Sequence, residues 1–281
     1  MNTKIFYIVF STFIISTFFV ACANKKQTFS TKGEVTQTAK NAERTYSLLA
    51  QDLLNAIKRK KSTDAIVDKL AKADREKLNN ELDSDAKKMA FWVNIYNAYI
   101  MVTLYKNPKL YDDRGSFFKK EQITIAGHTM SFDKIEHGII RSSTKKLSKG
   151  YLPKMFPGSF EKEFRLSNRD GRIHFVLNCG AKDCPPVYIY DAKTLNKDFD
   201  KVASNFLHRI TEIDNNEKTI KTTPLFQWFT GDFGVGKKGV KNMLEKYNVI
   251  SEANKDYKIK YKGYDWTLDL GNFGEEILSK K

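Results

Sequence analysis

The sequence predicts an α+β domain in which N-terminal helices, including one buried central helix, pack against a small mainly antiparallel sheet. Three observations predict it. Apolar residues recur at spacings of three and four from Ala42 to Ile57, the period of one helix face. The run "DAKKMAFWVNIYNAYIMVTLYKNP" is apolar nearly all round, as a helix at the centre of a core must be. Further on, "QITIAGHTMS" and "RIHFVLNC" place alternate residues on opposite sides, the period of a strand. No fixed-period repeat runs through the 281 residues, which gives a solenoid or propeller no support.

The first 21 residues read as a leader rather than as part of the fold. Lys4 is followed by an uncharged apolar run from Ile5 to Val20, and then by Ala21-Cys22. That order is a secretory signal, and a cysteine straight after a small residue resembles the bacterial lipoprotein box. Phe19 stands where the usual box has an aliphatic residue. In such signals the cysteine, here Cys22, is acylated and becomes the first mature residue. The run is short for a membrane span, which needs ~20 residues. Residues 22–40 are polar and lack hydrophobic periodicity, so they read as a flexible tether. Residues 41–281 are expected to form one globular domain. The expected location is the cell envelope, at the outer membrane facing the periplasm, because no aspartate follows at the second position after Cys22.

Within the domain, Ala42, Tyr46, Leu49, Leu53, Leu54 and Ile57 define the first helix, and "STDAIVDKLAKA" the second. Ser84 caps the long third helix and Pro108 ends it. Asn94 and Asn97 lie one turn apart on that buried helix. A buried amide left without partners costs about 1–3 kcal/mol, so each must bind something, a loop backbone or a substrate. "QITIAGHTMS" reads as a hairpin about Gly127. In the helix "SFDKIEHGIIR", Glu136 falls inside the apolar arc of Phe132, Ile135, Ile139 and Ile140, with His137 at its edge. A carboxylate on a buried face is paired, hydrogen-bonded or functional. The strand "RIHFVLNC" ends at Cys179 before Gly180-Ala181, and strict alternation puts His174 on the face opposite Cys179. "TTPLFQWFTGDFG" reads as a short helix, and "DYKIKYKGYDWTLDL" as a strand and turn.

The chain carries a net charge of +15. In an envelope compartment that charge suits anionic polymers or headgroups rather than nucleic acid. Gly234 to Gly239 fits G-x-G-x-x-G but lacks the preceding buried strand, and no Gly-x-Ser-x-Gly elbow is present. Cys179, Cys184, His137 and His174 are zinc-type ligands at spacings that match no dedicated zinc motif, so no metal and no cofactor is expected. The leading chemical expectation is a thiol-dependent hydrolase or acyltransferase. Cys179 attacks a carbonyl, His137 takes the thiol proton, and Glu136 orients His137. Asn94 or Asn97 donates to the oxyanion, and His174 is the second candidate partner for the thiol. The alternative is a non-catalytic module that binds an anionic envelope polymer or partner protein, with Cys179–Cys184 as a structural or redox disulfide.

Five segments in order, "FWVNIYNAY", "SFDKIEHGIIR", "HFVLNCGAKDCPP", "LFQWFTGDFG" and "YDWTLDL", resemble the successive motifs of the domain of unknown function 547. The resemblance covers about residues 85–270. Asp183 departs from it, standing where serine is usual before the second cysteine. The family implies no settled activity. Its occurrence both in envelopes and in reducing cytosols implies a shared thiol-dependent site rather than a purely structural disulfide. The matching positions are Trp92, Asn94, Asn97, Glu136, His137, His174, Cys179, Cys184, Trp228, Asp232 and Asp265.

Overall fold

The computed structural model describes residues 44–274. The expected leader and tether, with Cys22, lie outside the described residues. Four helices open the described fold: α1 (Tyr46–Lys58), α2 (Asp64–Ala71), α3 (Arg75–Glu81) and α4 (Asp85–Lys106). The caps are local chemistry. Thr45 and Ser84 each accept a backbone N–H from the first turn of α1 and α4, satisfying donors that a helix start leaves orphaned. The Glu81 carboxylate accepts the N–H groups of Tyr46 and Ser47, both at 2.8 Å, which fastens the end of α3 to the start of α1. At 22 residues, α4 is buried on every side through its middle, with Phe91, Trp92, Val93 and Ile95 fully enclosed. It packs chiefly against α1 and a later π-helix, Lys134–Ile140.

The remaining elements are α5 (Arg114–Lys119), β1 (Ile123–Ile125), β2 (His128–Met130), α6 (Ser159–Phe164), α7 (Leu195–Ile210), β3 (Glu212–Asp214), β4 (Thr219–Thr222), α8 (Leu225–Trp228), α9 (Gly236–Lys246) and β5 (Lys258–Tyr261). They are short apart from the 16-residue α7 and the 11-residue α9. The hairpin β1–β2 forms as expected. Ala126 and Gly127 both take positive φ, 50° and 70°, the two-residue turn whose twist matches the strands it joins. In the second sheet β3 pairs antiparallel with β4, and β4 pairs parallel with β5. The domain is therefore α+β with small, mainly antiparallel sheets and its helices concentrated in the N-terminal half.

One expected strand is absent. "RIHFVLNC" forms a 3-10 helix, Gly171–Phe175, and then an irregular run. The alternation misleads because Ile173, His174, Phe175, Val176 and Leu177 are all buried, so no solvent side exists. The backbone partners that a neighbouring strand would supply come instead from Asn97. Its amide donates to Val176 O at 2.9 Å, and its carbonyl accepts from Asn178 N at 2.8 Å. Ile173 and Val176 belong to the core around α4, while Phe175 joins a second core built on α7, β4, α8 and α9. The segment leading to Cys179 thus runs along the seam between two apolar clusters.

Candidate functional site

At this seam lies a cavity of about 160 Å³ whose lining includes Tyr96, Glu136, His137, His174, Cys179, Cys184, Trp228 and Tyr264. One wall is sulfur and aromatic. Asn178 shapes the cysteine loop from within: its amide donates to Pro185 O and its carbonyl accepts from Gly180 N, both at 2.8 Å. Gly180 sits at φ 90°, a conformation that glycine adopts without steric cost. Cys179 and Cys184 are joined in a disulfide, with Cα atoms 6.3 Å apart. The two sulfurs differ. Cys184 is buried and Cys179 half-buried. The buried sulfur accepts the Cys179 N–H at 3.0 Å and the Tyr264 O–H at 3.3 Å. Tyr264 belongs to an aromatic group with Trp228 and Trp266, whose ring centroids lie 4.7–5.6 Å apart. Asp183 holds this group in place by accepting the Asp265 N–H at 2.7 Å.

The other wall is a charged network. Asp232 is enclosed and accepts from Arg141 Nε at 2.6 Å, His174 Nε2 at 2.8 Å and Arg169 Nη1 at 3.0 Å. Burial pushes its carboxyl up, but the bonds from His174 and Arg141 outweigh burial and hold it well below the usual range. Arg141 is fully buried and also reaches His137 Nδ1, at 2.7 Å. A guanidinium only donates, so Nδ1 of His137 accepts and its ring proton sits on Nε2. His174 is the converse. Its Nε2–H donates to Asp232, and its Nδ1 has no hydrogen-bond partner among the described residues. Its ring stacks on Phe229 with centroids 3.9 Å apart. Burial lowers both histidines below their ordinary value despite the carboxylates beside them, so both are neutral near pH 7. Burial also pushes Glu136 up. Neighbouring positive side chains, Arg141 among them, bring it below its usual value, and Tyr96 donates to it at 3.2 Å.

The structure brings together Glu136, His137, His174, Cys179 and Cys184. It corrects several expected roles. Cys179 is not a free thiol. His137 is not poised as its base, because Nδ1 is occupied by Arg141 and Nε2 carries the proton. Glu136 does not orient His137, lying 3.5 Å from Nδ1 where Arg141 lies at 2.7 Å. Asn94 and Asn97 are not oxyanion donors. Asn94 exchanges bonds with the backbone of Tyr190, at 2.8 and 3.0 Å, as Asn97 does with residues 176–178. His174 does not face away from the cysteines; it lines the same cavity. Asp265 stands at the rim, accepting the Thr267 N–H.

Two residues that organise the site went unnoticed in the sequence, Arg141 and Tyr264. Arg141 carried a weak signal, since it follows His137 by four residues and ends an apolar run. Tyr264 opens the quoted segment "YDWTLDL", but nothing in that segment marks its hydroxyl as a partner for sulfur. Among the described residues, no three His, Cys, Asp or Glu side chains gather as a metal-ligand set.

Residues 79–207 match the model of the family described as "Protein of unknown function, DUF547". That span contains His137, His174, Cys179, Cys184 and Arg141, and stops before Trp228, Asp232 and Tyr264. No curated protein and no solved structure matches the chain.

Proposed function

Taking residues 79–207 as a domain of the DUF547 family, we propose that the cavity is a thiol–disulfide exchange site. The observation that carries this reading is the asymmetry of the two sulfurs. Both cysteines line the cavity, but Cys179 is the less buried of the two. The Cys184 sulfur accepts two hydrogen bonds, while the Tyr264 hydroxyl lies farther from Cys179 Sγ, at 3.9 Å. An incoming thiolate attacks Cys179 Sγ, the Cys179–Cys184 bond breaks, and Cys184 leaves with the electron pair as a thiolate. The Cys179 N–H and the Tyr264 O–H stabilise that leaving group, and a lower-pKa thiol leaves faster. A second thiol of the substrate then displaces Cys179. The products are a substrate disulfide and two protein thiols, a two-electron transfer. His174, with a free Nδ1 and Asp232 behind it, is the base in the cavity able to take the incoming thiol's proton. We place this domain at an envelope membrane face, held by acylated Cys22. Anionic envelope polymers are the further partners that its positive charge suits.

Replacing Cys184 by serine tests the assignment. The Cys184→Ser protein, treated with oxidised glutathione, should accumulate a mixed disulfide on Cys179 with release of one glutathione thiolate, seen as an added mass. Cys179→Ser should not form one on Cys184. Equal adducts on both variants would contradict the assigned polarity.

A second reading rests on the His174–Asp232 pair. In the reduced protein, Cys179 beside that pair is equipped for acyl transfer or hydrolysis through a thioester, with His174 as base. Iodoacetamide labelling of the reduced protein across pH separates the two. A Cys179 thiol that ionises well below ~8.5, with that ionisation lost in His174→Gln, favours acyl chemistry. An ordinary thiol removes it.

A further inference from the structure

Between Ser142 and Phe160 the chain carries four lysines and no acidic residue. Among the described residues nine large hydrophobic side chains are exposed, and five of them fall in this stretch: Leu147, Tyr151, Leu152, Met155 and Phe156. Leu147 and Phe156 are 95% and 90% exposed, values at which a side chain touches almost nothing of its own protein. The loop is nonetheless built. Thr144 and Pro153 form a β-bridge. Lys145 N donates to Leu152 O at 2.9 Å, and Lys154 N to Ser143 O at 2.6 Å. Lys149 O accepts from Gly231 N at 2.7 Å, and Arg169 donates to Gly150 O. A backbone held this firmly, presenting apolar side chains outward, is the arrangement expected of an interaction surface.

The charge chooses the partner. Lys146 and Lys154 are bound to Asp133 and Glu161. Lys145 and Lys149 are exposed and have no ion-pair partner among the described residues. Apolar side chains interleaved with free lysines match the acyl and headgroup layers of a bilayer bearing negative charge. Lysine stems lie along the apolar zone while their ammonium groups reach the phosphates. The loop bound to it through Gly231 adds exposed Val235, Lys237 and Lys238.

We infer that the 145–156 loop inserts its apolar side chains into the surface of an anionic lipid bilayer. This contact is separate from any anchor at Cys22 and does not rest on the exchange reading. It brings Lys146, which lines the cavity, to the membrane surface.

The test uses the full chain carrying Phe156→Trp. It is bound to vesicles of phosphatidylcholine alone or mixed equally with phosphatidylglycerol, with brominated acyl chains as quencher. The protein without the substitution supplies the background from its three native tryptophans. The expected result is blue-shifted emission at position 156, quenched at least twofold on the anionic vesicles only. Replacing Lys145 and Lys149 by glutamine should weaken the insertion roughly 30-fold, at the usual worth of a lysine near such a surface. Quenching reports the side chain among acyl chains rather than attachment of the protein, so an anchor elsewhere does not mimic it. No quenching on either vesicle, or equal quenching on both, overturns the inference. Hydrogen-exchange protection of residues 145–156 by a soluble protein and not by vesicles overturns it in favour of a protein partner.

Discussion

Two buried polar groups of residues, one on the apolar helix α4 and one gathered around Asp232, solve the same problem differently. On α4, Asn94 and Asn97 each give one N–H and accept one, closing rings with the backbone at Tyr190 and at residues 176–178. Around Asp232 the bonding is denser yet incomplete: Arg141 Nη2 is buried without a hydrogen-bond partner, and His174 Nδ1 has none. The Phe229 ring, 4.8 Å from the Arg141 guanidinium carbon, compensates only in part for the missing bond. Closed rings hold loops in place. Spare valences beside a cavity cost stability and are where chemistry enters.

Removing the centre of the open network should have the largest effect. Asp232→Ala leaves the buried Arg141 without the carboxylate it hydrogen-bonds, with only the more distant Glu136 as counter-charge, and should cost about 3–5 kcal/mol in urea unfolding. Asp232→Asn, which keeps the volume and an acceptor, should cost less. A loss below about 1 kcal/mol for the alanine variant would mean that the network behaves as a surface ion pair. Next comes the closed ring. Asn94→Ala strands the N–H and C=O of Tyr190 and should cost about 3 kcal/mol, while the reduction potential of the cysteine pair stays unchanged. A shifted potential would erase the contrast between brace and site.

The histidines give a pH dependence of fixed sign. Both have folded-state values depressed below the unfolded value of about 6.5, so below that pH the unfolded chain binds the protons first. The stability they protect is present above pH 6.5 and drains away as pH falls. The slope is at most about 1.4 kcal/mol per pH unit for each histidine. The carboxylates that the network holds low begin to matter only in more acidic solution. Urea unfolding between pH 7.5 and 5.5 should therefore show a slope that shrinks in His174→Gln. An unchanged slope would show that His174 takes its proton freely in the folded protein. The smallest effect is expected at Tyr264→Phe. Loss of one donor to Cys184 should slow exchange about fivefold, at the worth of a single hydrogen bond, with the fold intact.

How much of this was legible in the sequence follows the same division. The all-round apolar pattern of α4 identified a central helix, and two buried amides on it announced specific partners without naming them. Ala126-Gly127 between alternating residues sufficed for a hairpin. "RIHFVLNC" was misread because a short apolar run suits a strand, a 3-10 turn or a buried coil equally. The deciding bonds come from Asn97, some 80 residues earlier. Burial of the "SFDKIEHGIIR" helix was legible. Its π-helical winding and the binding of Arg141 to both His137 and Asp232 were not. The ion pair spans 91 residues, and no local pattern encodes it. The cysteine spacing left thiol and disulfide open, since geometry at the turn decides between them.

Cys179–Cys184 is proposed as an exchangeable pair at a cavity rather than a clasp. A redox titration of the folded protein against glutathione, with free thiols counted by mass spectrometry after alkylation, addresses it most directly. Both thiols should appear together at a potential above roughly −300 mV, the value below which structural disulfides sit, with the fold retained. A pair that stays oxidised throughout that range, and yields thiols only when the protein is unfolded, would contradict it.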